Sequence, residues 1–188
     1  MRLNATAARS AARSSAAPLA RASLLVLGGS LLLAASAWVR VPMWPVPMTL
    51  QTMAVLLIGL TYGSRLAGAA VLAYLLEGAA GLPVFAGGQT LLTVGPTFGY
   101  LVGFLLAATA AGALAERGWS RRPVLLVASL LIGEVLIFAP GLAWLDVGYV
   151  HAWDRTLALG LLAFLPGEAA KLALAAVLAS FLPRPGRE

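Results

Sequence analysis

Residues Pro123–Leu145 read PVLLVASLLIGEVLIFAPGLAWL and contain a single ionisable side chain, that of Glu134. A helix that crosses the hydrocarbon core of a bilayer needs about 20 consecutive, mostly apolar residues. This stretch is long enough and apolar enough to do so. It therefore predicts a transmembrane helix, and with it a lipid environment for the chain.

Other segments of the chain have the same apolar character, although two are short and one is long. The predicted helices, in chain order, are Ala22–Val39, Thr49–Tyr62, Ser64–Leu82, Phe98–Glu116, Pro123–Leu145 and Leu157–Leu182. Clusters of proline and glycine separate several of them, as expected for loops. The sequence thus predicts an all-α, polytopic membrane protein that forms one bundle of about six transmembrane helices.

The overall composition agrees with this prediction and excludes several kinds of site. Hydrophobic residues make up 61% and charged residues 11% of the 188 residues, whereas soluble domains average about 45–50% and about 25%. The chain has no cysteine, which excludes disulfides, thiolate metal sites and cysteine nucleophiles. Its one histidine, His151, is too few for a metal site. No Walker sequence is present, so the chain does not hydrolyse ATP by that route.

The net charge of +6 is distributed as a membrane topology signal rather than as a nucleic-acid-binding patch. Cytoplasmic loops of membrane proteins carry an excess of Lys and Arg. If the N-terminus is inside, only Arg40 and Arg155 fall in outer loops and Lys171 falls in a helix. The inside arginines are Arg2, Arg9, Arg13, Arg21, Arg65, Arg117, Arg121, Arg122, Arg184 and Arg187. We therefore predict that both termini are cytoplasmic and that the partner is the lipid bilayer, not nucleic acid.

The N-terminal segment of residues 1–21 contains arginine, alanine and serine but no acidic residue. We expect it to be a disordered, basic cytoplasmic arm, followed by the transmembrane domain over residues 22–182 and a cytoplasmic tail over residues 183–188. A signal peptide is the alternative, with Ala35-Ser36-Ala37 as its cleavage site. The long basic region and the continuation of the apolar run through Trp38 favour an uncleaved first helix.

Four ionisable residues fall within predicted membrane helices, where a charge costs about 2.5–3.5 kcal/mol on insertion scales. Glu168 and Lys171 are three residues apart and share one helix face. They form either a self-neutralising pair that permits insertion or a polar patch that offers an acceptor and a donor to a ligand. Glu134 lies in mid-helix and must face the bundle interior or a partner, while Glu77 is near enough to a helix end to reach the interface.

Three predicted outer segments could enclose a ligand. The first loop, VPMWPVPM over Val41–Met48, is short and stiff, and Thr49, Gln51 and Thr52 would supply hydrogen bonds beneath it. The alternative for this loop is an interfacial anchor formed by Trp44.

The other two outer segments follow the third helix. Gly81–Gln89 reads GLPVFAGGQ, and its glycines allow the backbone to approach a ligand closely, although an ordinary glycine-rich loop has the same composition. Gly95–Tyr100 then opens the fourth helix and presents the hydroxyl of Thr97 and the ring of Tyr100 towards the same side.

Taken in order, four motifs of this chain resemble the signatures of the BioY family. They are PVPMTLQT at Pro45–Thr52, GLPVFAGG at Gly81–Gly88, GPT at Gly95–Thr97 and FLPGEAAK at Phe164–Lys171. The resemblance extends from Trp38 to Leu182. BioY proteins are the biotin-specific substrate-binding (S) subunits of energy-coupling-factor transporters.

The resemblance implies a six-helix bundle in the bacterial inner (cytoplasmic) membrane, with an outward pocket that holds biotin beneath the first loop. It also implies partners, namely a transmembrane T subunit and two cytoplasmic ATPase subunits, and no enzymatic activity of the chain itself. No catalytic residue, metal site or cofactor is expected, since biotin is the transported ligand. The expected ligand-binding residues are Gln51, Thr52, Phe85, Ala86, Gly87, Gly88, Thr97, Tyr100, Glu134, Glu168 and Lys171. One position departs from the family, which usually has aspartate where this chain has Glu168.

Other functions remain open at the level of sequence. An S subunit for riboflavin or thiamin would share the architecture, and an intramembrane enzyme would need a nucleophile beside a base, whereas the only histidine lies in an outer loop. A further hypothesis concerns the partner: Gly29, Ser30 and Ala34 of the first helix are small enough to dock the helix of a T subunit. The same residues could equally pack inside the bundle.

Overall fold

The computed structural model describes the backbone of residues 3–183 and the side chains of residues 18–183. The described chain is mostly helical, which confirms the all-α prediction. Its helices are α1 Leu3–Trp38, α2 Gln51–Tyr62, α3 Ser64–Ala79, α4 Phe98–Glu116, α5 Pro123–Leu145, α6 Trp153–Leu157 and α7 Leu165–Phe181. Two π-helical turns interrupt the helical path: Asp146–Val150 follows α5, and Ala158–Leu162 joins α6 to α7.

Two very short strands close the loop between α1 and α2. Strand β1 (Arg40–Val41) pairs antiparallel with β2 (Met48–Thr49), with Arg40 opposite Thr49 and Val41 opposite Met48. This ribbon takes Thr49 out of the predicted second helix, so α2 begins at Gln51. The third helix also ends before its predicted limit, because α3 stops at Ala79 and Gly81 follows with a φ of 89°.

Within the described residues, four helical stretches are long and apolar enough to cross a membrane. They are Pro18–Trp38, Gly95–Glu116, Pro123–Val150 and Trp153–Phe181. Helices α2 and α3 have 12 and 16 residues, and at about 1.5 Å per residue they are only about 18 and 24 Å long. The bundle therefore has six helical stretches, as predicted, but two of them are shorter than the roughly 30 Å hydrocarbon core.

Helix α1 differs from its prediction at its N-terminal end. It includes residues 3–21, where the composition predicts an irregular arm. Alanine is frequent in this segment and is the strongest helix former, which is a physical reason for helix there. Residues 1–2 and most of the predicted tail, residues 184–188, lie outside the described part of the chain.

Helix α2 lies at the centre of the bundle and packs against α1, α3, α4 and α7. Eight of its 12 residues are buried, so neighbouring helices rather than lipid surround this short helix. It approaches α4 closely at Gly59, where a Cβ atom would lie 2.8 Å from both the carbonyl oxygen of Ala108 and the Cβ of Ala111. The absence of a side chain thus sets how closely α2 and α4 pack.

The small residues of α1 are used inside the bundle. A Cβ atom at Gly29 would lie 2.7 Å from the Cβ of Ala70 in α3. Ser30 is completely buried and donates a hydrogen bond to Glu77 Oε1 at 2.7 Å. These contacts of Gly29 and Ser30 with α3 match the alternative that the small residues pack inside the bundle, and the hypothesis that Gly29, Ser30 and Ala34 dock a T subunit stays a prediction. The same contact gives Glu77 a partner within the bundle.

The connections between helices divide between the two ends of the bundle. At one end, the α2–α3 turn meets the C-terminus of α4, where Glu116 Oε1 accepts hydrogen bonds from the Ser64 backbone N–H at 2.7 Å and from Ser64 Oγ at 3.0 Å. The short α4–α5 connection lies at this end as well. The two longest connections, α1–α2 and α3–α4, meet at the opposite end, where both contribute to the walls of two cavities.

Candidate functional site

A cavity lies beneath the α1–α2 and α3–α4 connections, and we call it the inner cavity. Its empty volume is about 470 Å³, part of which is open to solvent. The α1–α2 and α3–α4 loops, the start of α2, helices α4 and α5 and the start of α7 all contribute to its wall. The lining residues are Val46, Pro47, Thr49, Gln51, Thr52, Phe85, Ala86, Thr97, Tyr100, Leu101, Phe104, Phe138, Phe164 and Glu168.

One side of the inner cavity is a buried polar cluster formed by Thr49, Thr52, Glu168 and Lys171. Lys171 Nζ donates to Glu168 Oε1 at 2.6 Å, to Thr52 Oγ1 at 2.8 Å and to the Thr49 carbonyl at 2.7 Å. Thr52 Oγ1 in turn donates to Glu168 Oε2 at 2.8 Å. An ammonium group has three N–H donors, so Lys171 is fully satisfied. Glu168 lines the cavity, whereas Lys171 lies behind it.

The sequence produces this cluster because α7 begins just before it. Pro166 occupies the first turn of α7, where a missing N–H costs nothing, and Glu168 and Lys171 follow on one face. Gly167 lies directly against the side chain of Met48 in β2. A larger residue at this position would have to displace the end of the Met48 side chain, so the glycine lets Met48 pack directly on the first turn of α7.

A second polar contact joins α2 to α3. Gln51 Nε2 donates to Tyr74 OH at 2.7 Å, and Tyr74 OH donates to the Val84 carbonyl at 3.2 Å. The Tyr74 ring also packs edge-on against Phe85, with ring centroids 5.1 Å apart. Tyr74 thereby fixes both Gln51 and the Phe85 loop. Sequence reasoning missed this residue, although a tyrosine in an apolar helix signals a hydroxyl that needs a partner.

Aromatic rings form an apolar part of the inner cavity wall. The ring centroid of Tyr100 lies 5.6 Å from that of Phe138 and 6.4 Å from that of Phe164, and the two phenylalanines are 5.9 Å apart. Tyr100 OH donates to the carbonyl of Gly160 at 2.8 Å, in the π-helical turn before α7. The hydroxyl is therefore committed to structure, and Tyr100 offers its ring to a ligand.

A second cavity, which we call the outer cavity, adjoins the first. Its empty volume is about 520 Å³ including open solvent, and it shares Pro47, Ala86 and Thr97 with the inner cavity. Its full lining is Arg40, Pro42, Met43, Pro45, Pro47, Ala86, Gly87, Gln89, Val94, Pro96 and Thr97. The first loop and the α3–α4 loop face each other across it. Trp44 lines neither cavity and is 78% exposed, which fits the interfacial alternative for this residue.

The structure gathers most of the predicted site residues at the inner cavity and separates a few from it. Gly87 lines the outer cavity, and Gly88 lines neither but closes a tight turn, where its N–H donates to the Phe85 carbonyl at 3.0 Å. Lys171 reaches the site through Glu168 and Thr52. The predicted residues that line the inner cavity are Gln51, Thr52, Phe85, Ala86, Thr97, Tyr100 and Glu168.

Glu134 is another predicted site residue that lines neither cavity, although its side chain lies close to Glu168 and Lys171 of the polar cluster. Its side chain is buried in the middle of α5. Within the described part of the chain, neither of its carboxylate oxygens has a hydrogen-bond partner. The inner cavity is lined instead by Phe138 and Phe164, which the sequence analysis did not select as site residues.

The arrangement suits a small molecule with a polar head and an apolar body. Ligand sites of this kind are mostly apolar cavities with a few well-placed polar groups. Here a carboxylate, two threonines and an amide lie at one side, and three aromatic rings lie near them. The charges of Glu168 and Lys171 balance each other, so the polar cluster as a whole is neutral.

Comparisons with known proteins show which family this chain resembles in sequence. The sequence profile of the BioY family matches residues 6–187. The biotin transporter BioY of Thermotoga maritima is 41% identical, over 79% of this chain and 87% of the relative. The biotin transporter BioY of Rhizobium etli is 35% identical, over 71% of this chain and 76% of the relative.

A solved structure shares the fold. It is the crystal structure at 2.1 Å of the S-component for biotin from an ECF-type ABC transporter, with a TM-score of 0.77. The match covers 86% of this chain and 90% of the other, at 23% sequence identity. This likeness confirms the predicted membrane-helix bundle.

Proposed function

The chain belongs to the BioY family, and from that premise we propose that it captures biotin in the inner cavity for import across the membrane. The observation that carries the proposal is the convergence of four distant motifs on one cavity. Pro47 and Gln51 come from the first motif, Phe85 from the second, Thr97 from the third and Glu168 from the fourth.

The chemistry of the cavity supports biotin as the ligand. Biotin has a ureido group that both donates and accepts hydrogen bonds, an apolar ring and chain, and a carboxylate. The carboxylate of Glu168 can accept from the ureido N–H groups, and Tyr100, Phe138 and Phe164 can cover the ring. Because the polar cluster is neutral overall, it suits the uncharged ureido end better than the anionic end.

We further propose that the chain works as an S component in the bacterial inner membrane, with a T subunit and cytoplasmic ATPases supplying the energy. The absence of a Walker sequence is consistent with ATP hydrolysis by a partner. The two relatives described above are named as biotin transporters, which favours biotin over riboflavin or thiamin. His151 is exposed in the α5–α6 connection, away from the cavity, which does not favour an intramembrane enzyme.

Calorimetry on the detergent-solubilised protein tests the proposal. We expect saturable binding of biotin at one site per chain and no binding of riboflavin or thiamin under the same conditions. Binding of either of those vitamins in place of biotin would overturn the ligand assignment while leaving the fold unaffected.

A further inference from the structure

A buried hydrogen-bond chain runs from Gln51 on α2 through Tyr74 on α3 to the α3–α4 loop. Tyr74 is completely buried and lines neither cavity. Gln51 Nε2 lies 2.7 Å from Tyr74 OH, and Tyr74 OH lies 3.2 Å from the carbonyl oxygen of Val84. Because Gln51 lines the inner cavity, the hydroxyl of Tyr74 is one hydrogen bond away from the cavity wall.

The chemistry of the three groups fixes the direction of this chain. A backbone carbonyl only accepts hydrogen bonds, and a tyrosine hydroxyl has one hydrogen to donate. Tyr74 therefore donates to Val84 and accepts from Gln51. An amide turned the other way would present Oε1 to Tyr74 and compete for that single hydrogen. The carbonyl of Val84 would then lose this donor.

The direction of the chain determines where the amide oxygen of Gln51 lies. Since Nε2 faces Tyr74, Oε1 lies on the other branch of the amide, where Thr49 Oγ1 donates to it at 3.3 Å. Thr49 also lines the inner cavity. A carbonyl oxygen has two lone pairs, so Oε1 can accept a second hydrogen bond beside Thr49.

The ring of Tyr74 has a separate contact, so the hydroxyl can be tested by itself. The ring packs edge-on against Phe85, with centroids 5.1 Å apart. Gly78 of α3 also lies against Phe85, and a Cβ atom at Gly78 would overlap the Phe85 ring. Loss of the hydroxyl alone leaves both of these contacts in place. Phe85 is therefore expected to keep its position when Tyr74 is replaced by phenylalanine.

We propose that Tyr74 is a positioning residue for ligand binding: its hydroxyl fixes the amide of Gln51 so that Oε1 is offered to the inner cavity as a hydrogen-bond acceptor. The inference rests on the proposed function and adds to it a residue that lies outside the cavity wall. Glu168 is a second acceptor in the same wall. The polar part of the cavity thus favours a ligand that brings N–H donors over one that brings only acceptors.

The contact between Tyr74 and Gln51 is tested by NMR, because the chain has only two glutamines, Gln51 and Gln89. Glutamine labelled with nitrogen-15 in the side chain gives two amide signals, and Gln51→Ala identifies that of Gln51. We expect Tyr74→Phe to shift the Gln51 signal and to speed its exchange with deuterium, while the Gln89 signal stays as in the parent.

Tyr62→Phe is the matched control. Tyr62 lies on the same helix as Gln51, is half-buried and lines neither cavity. The substitution removes the same hydroxyl group from the same residue type. Both amide signals and the affinity for biotin should remain those of the parent.

Calorimetry tests the role of Tyr74 in binding. We expect Tyr74→Phe to weaken biotin binding about fivefold, the effect of one ordinary hydrogen bond. In a Gln51→Ala protein there is no amide to orient, so the same substitution should change the affinity by less than about twofold. This dependence on Gln51 is the coupling expected of two residues that act together.

Two results would overturn the inference while leaving biotin binding intact. An unchanged Gln51 signal in Tyr74→Phe would mean that the hydroxyl does not hold the amide. An equal loss of affinity with and without Gln51 would mean that Tyr74 only supports the loop. A parent protein that binds no biotin would instead overturn the proposed function, and the role of Tyr74 in binding with it, whatever the amide signals show.

Discussion

At the scale of single residues, the polar cluster combines a binding role and a structural role in the same four side chains. Lys171 does not line the inner cavity, yet it holds Glu168, which does. Removal of one partner from a buried ion pair leaves the other charge uncompensated, which costs about 3–5 kcal/mol. Binding and folding effects of these residues must therefore be measured separately.

A pair of variants separates the two effects. We expect Lys171→Met to lower the melting temperature and to abolish measurable biotin binding, because Glu168 is left buried without its counter-charge. The double variant Glu168→Leu/Lys171→Met should regain thermal stability, since a buried ion pair can be replaced by apolar residues at little cost, but should still fail to bind biotin. Thermal shift and calorimetry measure the two properties. Normal biotin affinity in the double variant would remove the cluster from the binding site.

Glu134 differs from Glu168, because neither oxygen of its buried carboxylate has a hydrogen-bond partner in the described structure. An unpartnered buried carboxylate is costly, and a neutral amide of the same shape reduces that cost. We expect Glu134→Gln to bind biotin as the parent does and to melt at the same temperature or a few degrees higher. A loss of biotin affinity in a stable Glu134→Gln protein would show that this carboxylate acts on the ligand after all.

The sequence predicted the polar side chains of the cavity better than its aromatic wall. Glu168, Gln51 and Thr52 stand out because polar residues are rare in these helices. Phe138 and Phe164 do not stand out, because an aromatic residue in an apolar helix can face lipid or a cavity with the same local pattern. The rotation of a membrane helix is set by packing against its neighbours, and that information is not local.

At the scale of elements, the shape of the site depends on how closely α2 approaches α4. Gly59 is one point of close contact, and its neighbours there include the backbone of Ala108, which cannot rotate away as a side chain can. Gln51 and Thr52 lie on the same helix as Gly59. A displacement of α2 would therefore move two cavity-lining residues.

Gly59→Ala and Gly28→Ala form a matched pair for this contact. A Cβ atom at Gly28 of α1 meets nothing within 4 Å, so the substitution there should leave stability unchanged or raise it by up to about 1 kcal/mol, the helix propensity gain from glycine to alanine. Gly59→Ala should instead lower stability by about 1–3 kcal/mol through overpacking and weaken biotin binding. The test compares the melting temperatures of the two variants with that of the parent. An equal change in melting temperature for both variants would contradict the packing argument.

The last predicted helix is less regular in the structure than the sequence indicates. Residues Leu157–Leu182 read as one apolar helix, but the structure inserts a π-helical turn at Ala158–Leu162. The carbonyl of Gly160 in this turn accepts the hydrogen bond from Tyr100 OH. Such turns are rare and often occur at functional sites. The partner that uses this carbonyl lies 60 residues away in sequence, so no local pattern predicts it.

At the scale of the whole molecule, the predicted orientation places the cavities outside and the α4–α5 connection inside. The chain lacks cysteine, so single cysteines can be introduced without background labelling. We expect Trp44→Cys in intact cells to react with a membrane-impermeant maleimide, and Arg121→Cys to react only after the membrane is permeabilised. Both positions are exposed, which makes the pair comparable. The reverse labelling pattern would invert the topology.

The ribbon β1–β2 has a consequence for how long a molecule stays in the cavity. The first loop, which carries Val46 and Pro47, is fastened on one side by the pairing of Thr49 with Arg40. On the other side, the Thr49 carbonyl accepts a hydrogen bond from the buried Lys171. The first loop is thus hydrogen-bonded to the same ammonium group that orders Glu168. We expect the ligand to dissociate only when the hydrogen bond between Lys171 and the Thr49 carbonyl breaks. The dissociation rate, more than the association rate, would then set the affinity.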